Sequence, residues 1–565
     1  MMRELETDIL IVGGGTGGVA AALACARLGV ACIVTEPTDW LGGQLTAQGV
    51  PPDENQWVET FGANASYQAL RTAVRASALR EGARERAVEP FGAFNPGGGW
   101  VSRCCAEPSR WHACIVEALA PFVERRLVRV LLHHEPLAAE LDRDHVRGIV
   151  LRDTRTAEAT IVRAKQFVDA TELGDLLPLV GAEHHIGAEH RDLHGELHGR
   201  TDFDLRTRTH DTLDQQACSW CFAIEHRPGE DHRTPAPAGY AQWRSYVPAM
   251  NPPWCGPLFS WTVPSHNEAG RHTFRMVPAP DEPLANEWEM WRYRRIVDAS
   301  IWGHNGSAPR ADVTVVNMVQ MDYWLKPLLG VEPGEQQAAL AGAREQSLCW
   351  LHWMRTEAPR HDDRGVGYPG LRLRGDELGT ADGFAKSVYV REPRRLLART
   401  IVHEGHVGTE QRRADGFAGA DLAKRFNWDA TPYGTGERFA DSVAIGHYSI
   451  DLHPSCAGRN NVYVPCAPFR VPMGALIPVR VANVIAGGKC LGVSHIVNGA
   501  YRMHHVEWGV GEAAGTLAAL CVRGSSGAIA PGTDPRAIHE SPARVAEVQR
   551  VLGDFGVRLA WPWEA

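Results

Sequence analysis

Histidine, arginine and carboxylate side chains recur along the last third of this chain in patterns suited to moving protons and binding anions. His495 follows Ser494, and Arg502 precedes the pair His504-His505. An imidazole titrates near neutrality and can serve as a general base. A guanidinium offers two parallel N–H donors to a carboxylate. Upstream, His447, Asp451 and His453 fall on a stretch read as one strand, Asp441 to His453. Period-two alternation puts all three on one face, which makes either a site wall or a solvated surface. Arg391, Arg394 and Arg395 follow a stretch read as a strand, Ser387 to Val390. They could clamp a carboxylate or phosphate, or pair with Glu392 and nearby acids. Cys218 and Cys221 form one C-x-x-C with no second pair, and Cys104-Cys105 are adjacent, so no metal site is expected. Tryptophans 220, 254, 261, 288, 291 and 302 could line an aromatic pocket or fill a core.

Such groups need a scaffold, and the N-terminus specifies one. Asp8 to Val12 is a short, β-branched apolar run that reads as a buried parallel strand. Gly13, Gly15 and Gly18 then fill a G-x-G-x-x-G pattern around Thr16, and an Ala- and Leu-rich helix follows as far as Gly29. A second strand from Val30 ends at Glu36, before Pro37. The first glycine permits a tight turn, the second lets backbone approach a pyrophosphate, and the third lets helix and strand pack closely. The helix N-terminus offers free N–H groups to phosphate. Glu36 stands where a carboxylate accepts ribose hydroxyls, and its charge disfavours a 2′-phosphate. Gly509-Val510-Gly511 has no preceding strand, so one dinucleotide site is expected.

With that fingerprint the chain resembles the large FAD-dependent oxidoreductase family with a glutathione-reductase-like flavin domain, and more closely its bacterial branch. Further markers are Trp40 to Thr46 with Gly42, Gly43 and Gln44; Val168 to Asp175 with Ala170, Thr171, Gly174 and Asp175; and the stretches 387–395 and 441–453. The longest runs from Leu476 through Gly488, Ser494-His495, Asn498, Arg502 and Met503 into a small-residue helix containing Ala514. The resemblance implies FAD as cofactor. It implies that Gly42 to Gln44 run beside the pyrophosphate and flavin, that Ala170 to Asp175 pass the adenosine side, and that backbone near Leu137 touches the adenine. It also implies that the last strand, its loop and the helix face the isoalloxazine. No cysteine pair follows the second strand, so disulfide-reductase chemistry is disfavoured.

The expected fold class is α/β. A Rossmann-type FAD-binding domain, a parallel sheet plus β-meander, is assembled from residues 1–62, 112–185 and 455–525. Residues 63–111 supply an inter-domain helix and loop, 186–454 an inserted α+β substrate domain, and 526–565 a C-terminal tail. At 565 residues the chain can bury a large core without disulfides. Net charge is −9 with no basic stripe, which argues against a nucleic-acid partner. The apolar stretch from Ile9 to Val34 is broken by glycines and Arg27, so no membrane span is expected. Thirteen scattered cysteines and the lack of a signal-like N-terminus suit the cytoplasm.

The expected activity is oxidation of a small organic substrate by hydride transfer to flavin N5, with O₂ or another acceptor reoxidising the flavin. His495, Arg502, His504 and His447 are the expected catalytic residues. Monooxygenation and a tRNA-modifying or macromolecule-binding flavoprotein are the alternatives. A homodimer is left open, as is covalent attachment of FAD.

Overall fold

The computed structural model describes residues 2–86, 93–265, 270–274, 276–277, 290–304, 306–361, 365–416 and 436–564. Strands β1 (Arg3–Glu6) and β2 (Ile9–Val12) lead into helix α1 (Thr16–Arg27) and strand β3 (Cys32–Glu36). Helices α2 (Ala65–Arg80) and α3 (Pro108–Glu124) precede β4 (Val128–Leu132). Strands β5 (His134–Asp142), β6 (His145–Asp153) and β7 (Ala159–Arg163) form the meander, and β8 (Gln166–Asp169) returns to the main sheet.

That main sheet is entirely parallel. Its order is Val484–Ala486, β8, β2, β3, β4. The central strand β2 has Ile11 between Val34 and Val168, and all four of its residues are fully buried. A strand buried on both faces must be continuously apolar, and Ile9-Leu10-Ile11-Val12 is. The meander pairs antiparallel, β5 with β6 and β6 with β7, and β1 joins β7 in parallel.

Two helices cover one face at unusually short range. The His504–Arg523 helix runs against α1, and a Cβ added to Gly511 would overlap the Gly17 carbonyl oxygen. One turn on, a Cβ on Gly515 would overlap the Ala21 carbonyl. Small residues four apart on both helices let the backbones meet. Arg27 at the end of α1 reaches Glu512 at 2.9 Å, and Glu512 also accepts from Asn64 and Ser66.

The second unit is built on an antiparallel sheet, Arg295–Val297, Val313–Val316, Phe222–His226 and Leu371–Leu373 in that order. The Pro333–Thr356 helix packs beside it, opened by Glu332 and Glu335 in a capping box with Pro333 at its first position. Trp243, Trp254, Trp261, Trp291, Trp350 and Trp353 form its core, with Trp350 and Trp353 stacked at 4.9 Å. Trp302 belongs to a separate cluster and Trp220 packs against both, so the tryptophans fill two cores rather than line one pocket. Trp288 lies outside the described residues.

The core of the first unit also takes in Leu396, Val402 and Val407, and Val443 to Val471, from the stretch 186–471. Residues Ser387 to Val390 make a single bridge, Tyr389 to Ser219, rather than a strand. The expected strand 441–453 is broken into Ser442–Gly446 and Ile450–Leu452. The tail helix Pro542–Asp554 buries Val545, Val548, Val551 and Leu552 in the main core.

Candidate functional site

The C-terminal edge of the parallel sheet presents two glycine turns face to face. Gly13 has φ +99°, and a Cβ there would overlap the Ala170 carbonyl oxygen. A side chain at Gly18 would overlap the Gly13 carbonyl, so α1 can approach β2 only with glycine there. The second turn holds Gly42 and Gly43 at φ +113° and +51°. Gly42 N donates to Gly14 O at 2.8 Å, and Thr16 Oγ1 donates to Gly42 O at 3.0 Å. Those two bonds lock the turns together.

Between them sits an oxyanion. Glu172 Oε1 lies 2.8 Å from where a Gly15 Cβ would be and 2.5 Å from a Gly43 Cβ, and it has no hydrogen-bond partner. Its other oxygen accepts from Lys489 Nζ at 2.5 Å. A negatively charged oxygen is therefore already held in the cradle, above the N-terminus of α1 and beside a buried lysine. A pyrophosphate in that place would meet Lys489 and the N–H groups of the α1 N-terminus once the carboxylate turns aside. Gln44 Nε2 donates to Glu507 Oε2 at 2.5 Å, and Gly488 packs against Ala170 with Glu507 3.5 Å from its missing Cβ. Burial, reinforced by the Glu172 charge, raises the Glu507 pKa to about 7.

The outer residues expected to hold the cofactor divide in two. Glu36 ends β3, buried, with Oε1 accepting from Thr38 N and Oγ1, and desolvation lifts its pKa to about 7. Pro37 beside it is exposed. Thr171 donates through N and Oγ1 to Asp169, Gly174 turns at φ +65°, and Asp175 pairs with Arg394 at 2.9 Å. Leu137 is exposed on β5. Ala514 is buried beside Gly487, and Met503 caps the helix that contains Ala514. Asn498 is fully buried, accepting from Gln216, with its Nδ2 unbonded.

Arg502 connects the cradle to a second group of side chains. Its carbonyl accepts from Gln44 Nε2 at 3.0 Å. Its Nη1 donates to the Tyr389 hydroxyl at 2.6 Å, and its Nη2 to the Asp451 carbonyl at 3.1 Å. Asp53 N donates to His504 Nδ1 at 3.1 Å, and Tyr448 donates to Asp53 Oδ1 at 3.5 Å. Arg294 stands 3.8 Å from Asp53 Oδ2 and lies over the Tyr293 ring. Burial pushes the hydroxyls of Tyr293 and Tyr448 above their usual range, yet both side chains keep accessible surface. Groups that are both desolvated and accessible line a recess.

The histidines separate here. His495 is 1% exposed, with Nδ1 2.8 Å from Glu392 and Nε2 3.2 Å from Arg459 Nη2. Glu392 also binds Arg395, which bridges to Glu189 at 2.7 Å. Both His495 nitrogens are thus engaged in an ion network. His447 follows the broken strand, faces the Cys466 carbonyl at 3.2 Å and packs on Trp57, and burial drops its pKa to about 4. It does not join Asp451 and His453. Those two do meet, with His453 Nε2 3.6 Å from Asp451 Oδ2. His453 Nδ1 lies 2.5 Å from the buried Asp322, which Ser219 and Arg391 also bind. An imidazole with one nitrogen fixed by a buried carboxylate is oriented to work through the other.

Sequence reasoning missed Asp322, Arg294, Tyr389, Lys489 and Glu507. Glu507 sits in the first turn of its helix, where an acid passes for ordinary dipole compensation. Arg294 and Asp322 come from the inserted unit, and no spacing ties them to the C-terminal residues.

Comparison with known proteins gives a family. No curated protein matches the chain. Among solved structures it is similar to THI4 of Thermovibrio ammonificans, with 19% identity over 33% of this chain, 66% of that one, and a TM-score of 0.20. It is similar to the myxobacterial chondrochloren halogenase CndH, with 15% identity, 41% and 46% coverage, and a TM-score of 0.24. It is also similar to the rebeccamycin biosynthetic enzyme RebC, with 18% identity, 40% and 39% coverage, and a TM-score of 0.25. These likenesses are partial, each spanning less than half of this chain. The family model covers far more, matching residues 8–552. By that match, and with a glycine cradle that suits the cofactor, the chain belongs to the FAD dependent oxidoreductase family.

Proposed function

We propose that the protein oxidises a small organic substrate held in the recess beside the glycine cradle. The supporting observation is continuity: Arg502 touches Gln44 of the cofactor turn through its backbone and Tyr389 and Asp451 of the recess through its guanidinium. Bound in the cradle, FAD would supply a two-electron acceptor for a hydride equivalent, with O₂ or another acceptor as the final oxidant.

The chain's own groups then have distinct tasks. Lys489, the glycine turns and the α1 N-terminus would hold the pyrophosphate, and Glu36 the ribose. Arg502 fixes the substrate end nearest Gln44. His453, oriented by Asp322, takes the proton that leaves as the hydride departs. His504 Nδ1 holds the Asp53 backbone and so shapes the recess. His495 is a positioning residue that ties Glu392 and Arg459 beneath the 494–502 segment. His447 sits outside the proton path, against Trp57.

The test begins with the absorption spectrum of the purified protein, before and after acid precipitation, to establish the flavin and whether it is released. Anaerobic bleaching then identifies a reducing substrate. His453→Asn should retain FAD and slow flavin reduction by roughly 100-fold, with a shifted pH profile. Reduction at the wild-type rate in that variant would remove His453 from the chemistry.

A further inference from the structure

Resting on the reading above, we infer that the recess is built for a carboxylate, and that the substrate is a small organic acid gripped by Arg294 and Arg502. Arg294 projects from the inserted unit, just before the Arg295–Val297 strand, and Arg502 comes from the segment ahead of the C-terminal helix. Both guanidiniums feel the same Asp53, Tyr389 and Tyr448. Arg294 Nε and Nη1 and Arg502 Nε are buried with no hydrogen-bond partner. Buried guanidinium N–H groups left unpaired are costly, and native structures seldom keep them without a reason.

The neighbouring acceptors meet these donors only in part. The Tyr389 hydroxyl accepts from Arg502, which leaves its own proton to donate. Asp53 accepts from Tyr448 and stands too far from Arg294, at 3.8 Å, for a hydrogen bond. Asp451 is engaged with Arg502 and His453. Two carboxylates thus balance two guanidiniums, and net charge does not attract the ligand. What the recess lacks is an acceptor with several lone pairs in one plane, and a carboxylate supplies four. A neutral alcohol or amide satisfies fewer of these donors.

The side chains leave room for it. Arg294 is 13% exposed and Asp451 and His453 16%, although all three are interior to the fold. The imidazole of His453 and the guanidinium of Arg502 meet the same Asp451 oxygen, so an acid held by Arg502 would lie near that base. Arg294 lies on the inserted unit and Arg502 on the flavin unit. Substrate binding would therefore bridge the two.

The experiment uses the FAD-loaded enzyme and reads the flavin spectrum, without requiring turnover. Acetate, glycolate and benzoate are titrated, each against its neutral amide. We expect at least one carboxylate to perturb the flavin saturably and at least tenfold more tightly than its amide. Arg294→Met should keep FAD and weaken that carboxylate by about thirtyfold. Arg294→Lys should weaken it by about tenfold, because the charge remains but the fork is lost. Equal affinity for acids and amides, or no perturbation by any acid, would overturn the inference while leaving the flavoenzyme reading intact. Loss of FAD from both Arg294 variants with the fold retained would assign that arginine to the cofactor and overturn it too. A wild-type protein without flavin would instead break the underlying reading. Should Arg294→Met fail to fold, the acid–amide comparison on wild-type enzyme still decides.

Discussion

Asp169 should make this protein less stable as pH rises, and Asp169→Asn should remove that loss. Asp169 ends β8 at 0% exposure. Its Oδ1 accepts from Thr171 N at 3.0 Å and Thr171 Oγ1 at 2.7 Å, while Oδ2 is buried with no partner. Burial raises its pKa to about 7 from 3.8, and the Thr171 bonds offset only part of that. Between those values the folded protein keeps a proton that the unfolded chain releases. Stability then falls as pH climbs: the acid costs nothing below about pH 4, and its full cost applies above about pH 7. At about 1.4 kcal/mol per pH unit, the gap amounts to about 4 kcal/mol. An amide keeps the Oδ1 acceptor for Thr171 and cannot ionise. The variant should exceed wild type by only about 1 kcal/mol near pH 4.5 and by about 4 kcal/mol near pH 8, that is, by about 2–4 °C rising to about 8–16 °C in Tm, at about 2–4 °C per kcal/mol for a unit of this size. Glu36 and Glu507, both raised to about 7, titrate in wild type and variant alike, so the difference between the two curves isolates Asp169. Thermal unfolding of both proteins from about pH 4.5 to 8.5 provides the measurement. A Tm difference that does not change with pH would refute the reasoning.

Two further substitutions follow from the cradle and its supporting helices. Glu172→Gln removes the negative charge that competes with a pyrophosphate and leaves Lys489 for the ligand, so FAD should bind the apoprotein about tenfold more tightly in a fluorescence titration; weaker binding would show that Glu172 contributes a favourable contact. Gly511→Ala drives a methyl into the Gly17 carbonyl and should lower Tm by several degrees, at about 1–3 kcal/mol of overpacking. Gly553→Ala in an open helical position is the control and should leave Tm unchanged or slightly raised.

The fingerprint was legible because its determinants are local. Strand, turn, helix and acidic strand end lie within 36 residues, and each residue type answers to a neighbour in sequence. The meander was legible for the same reason. His495 was not, because what fills its two nitrogens comes from Glu392 and Arg459, which no pattern near Ser494 announces. His447 was placed on a face with Asp451 by assuming one unbroken strand. The chain leaves the sheet after Gly446, and the histidine turns toward Trp57. His453 did stand out by its spacing from Asp451, but its orientation depends on Asp322, 131 residues away in another unit. Arg294 carried no signal at all. Only folding brings it and Arg502 to the same Asp53.

The close seam between α1 and the His504–Arg523 helix has a consequence for how the protein is made. The βαβ unit leaves the ribosome long before the last helix, and Gly17 and Ala21 have no mate until Gly511 and Gly515 emerge. The Val484–Ala486 strand that covers the outer side of β8 is equally late. At roughly 5–20 residues per second, close to 500 residues of synthesis separate the two halves of the seam by about 25–100 s. Throughout that interval an Ala-rich, apolar helix face stays open to water and to other nascent chains. Its closure is a late event, and yield of native protein should depend on elongation speed and on the chaperones that shield the N-terminal segment meanwhile.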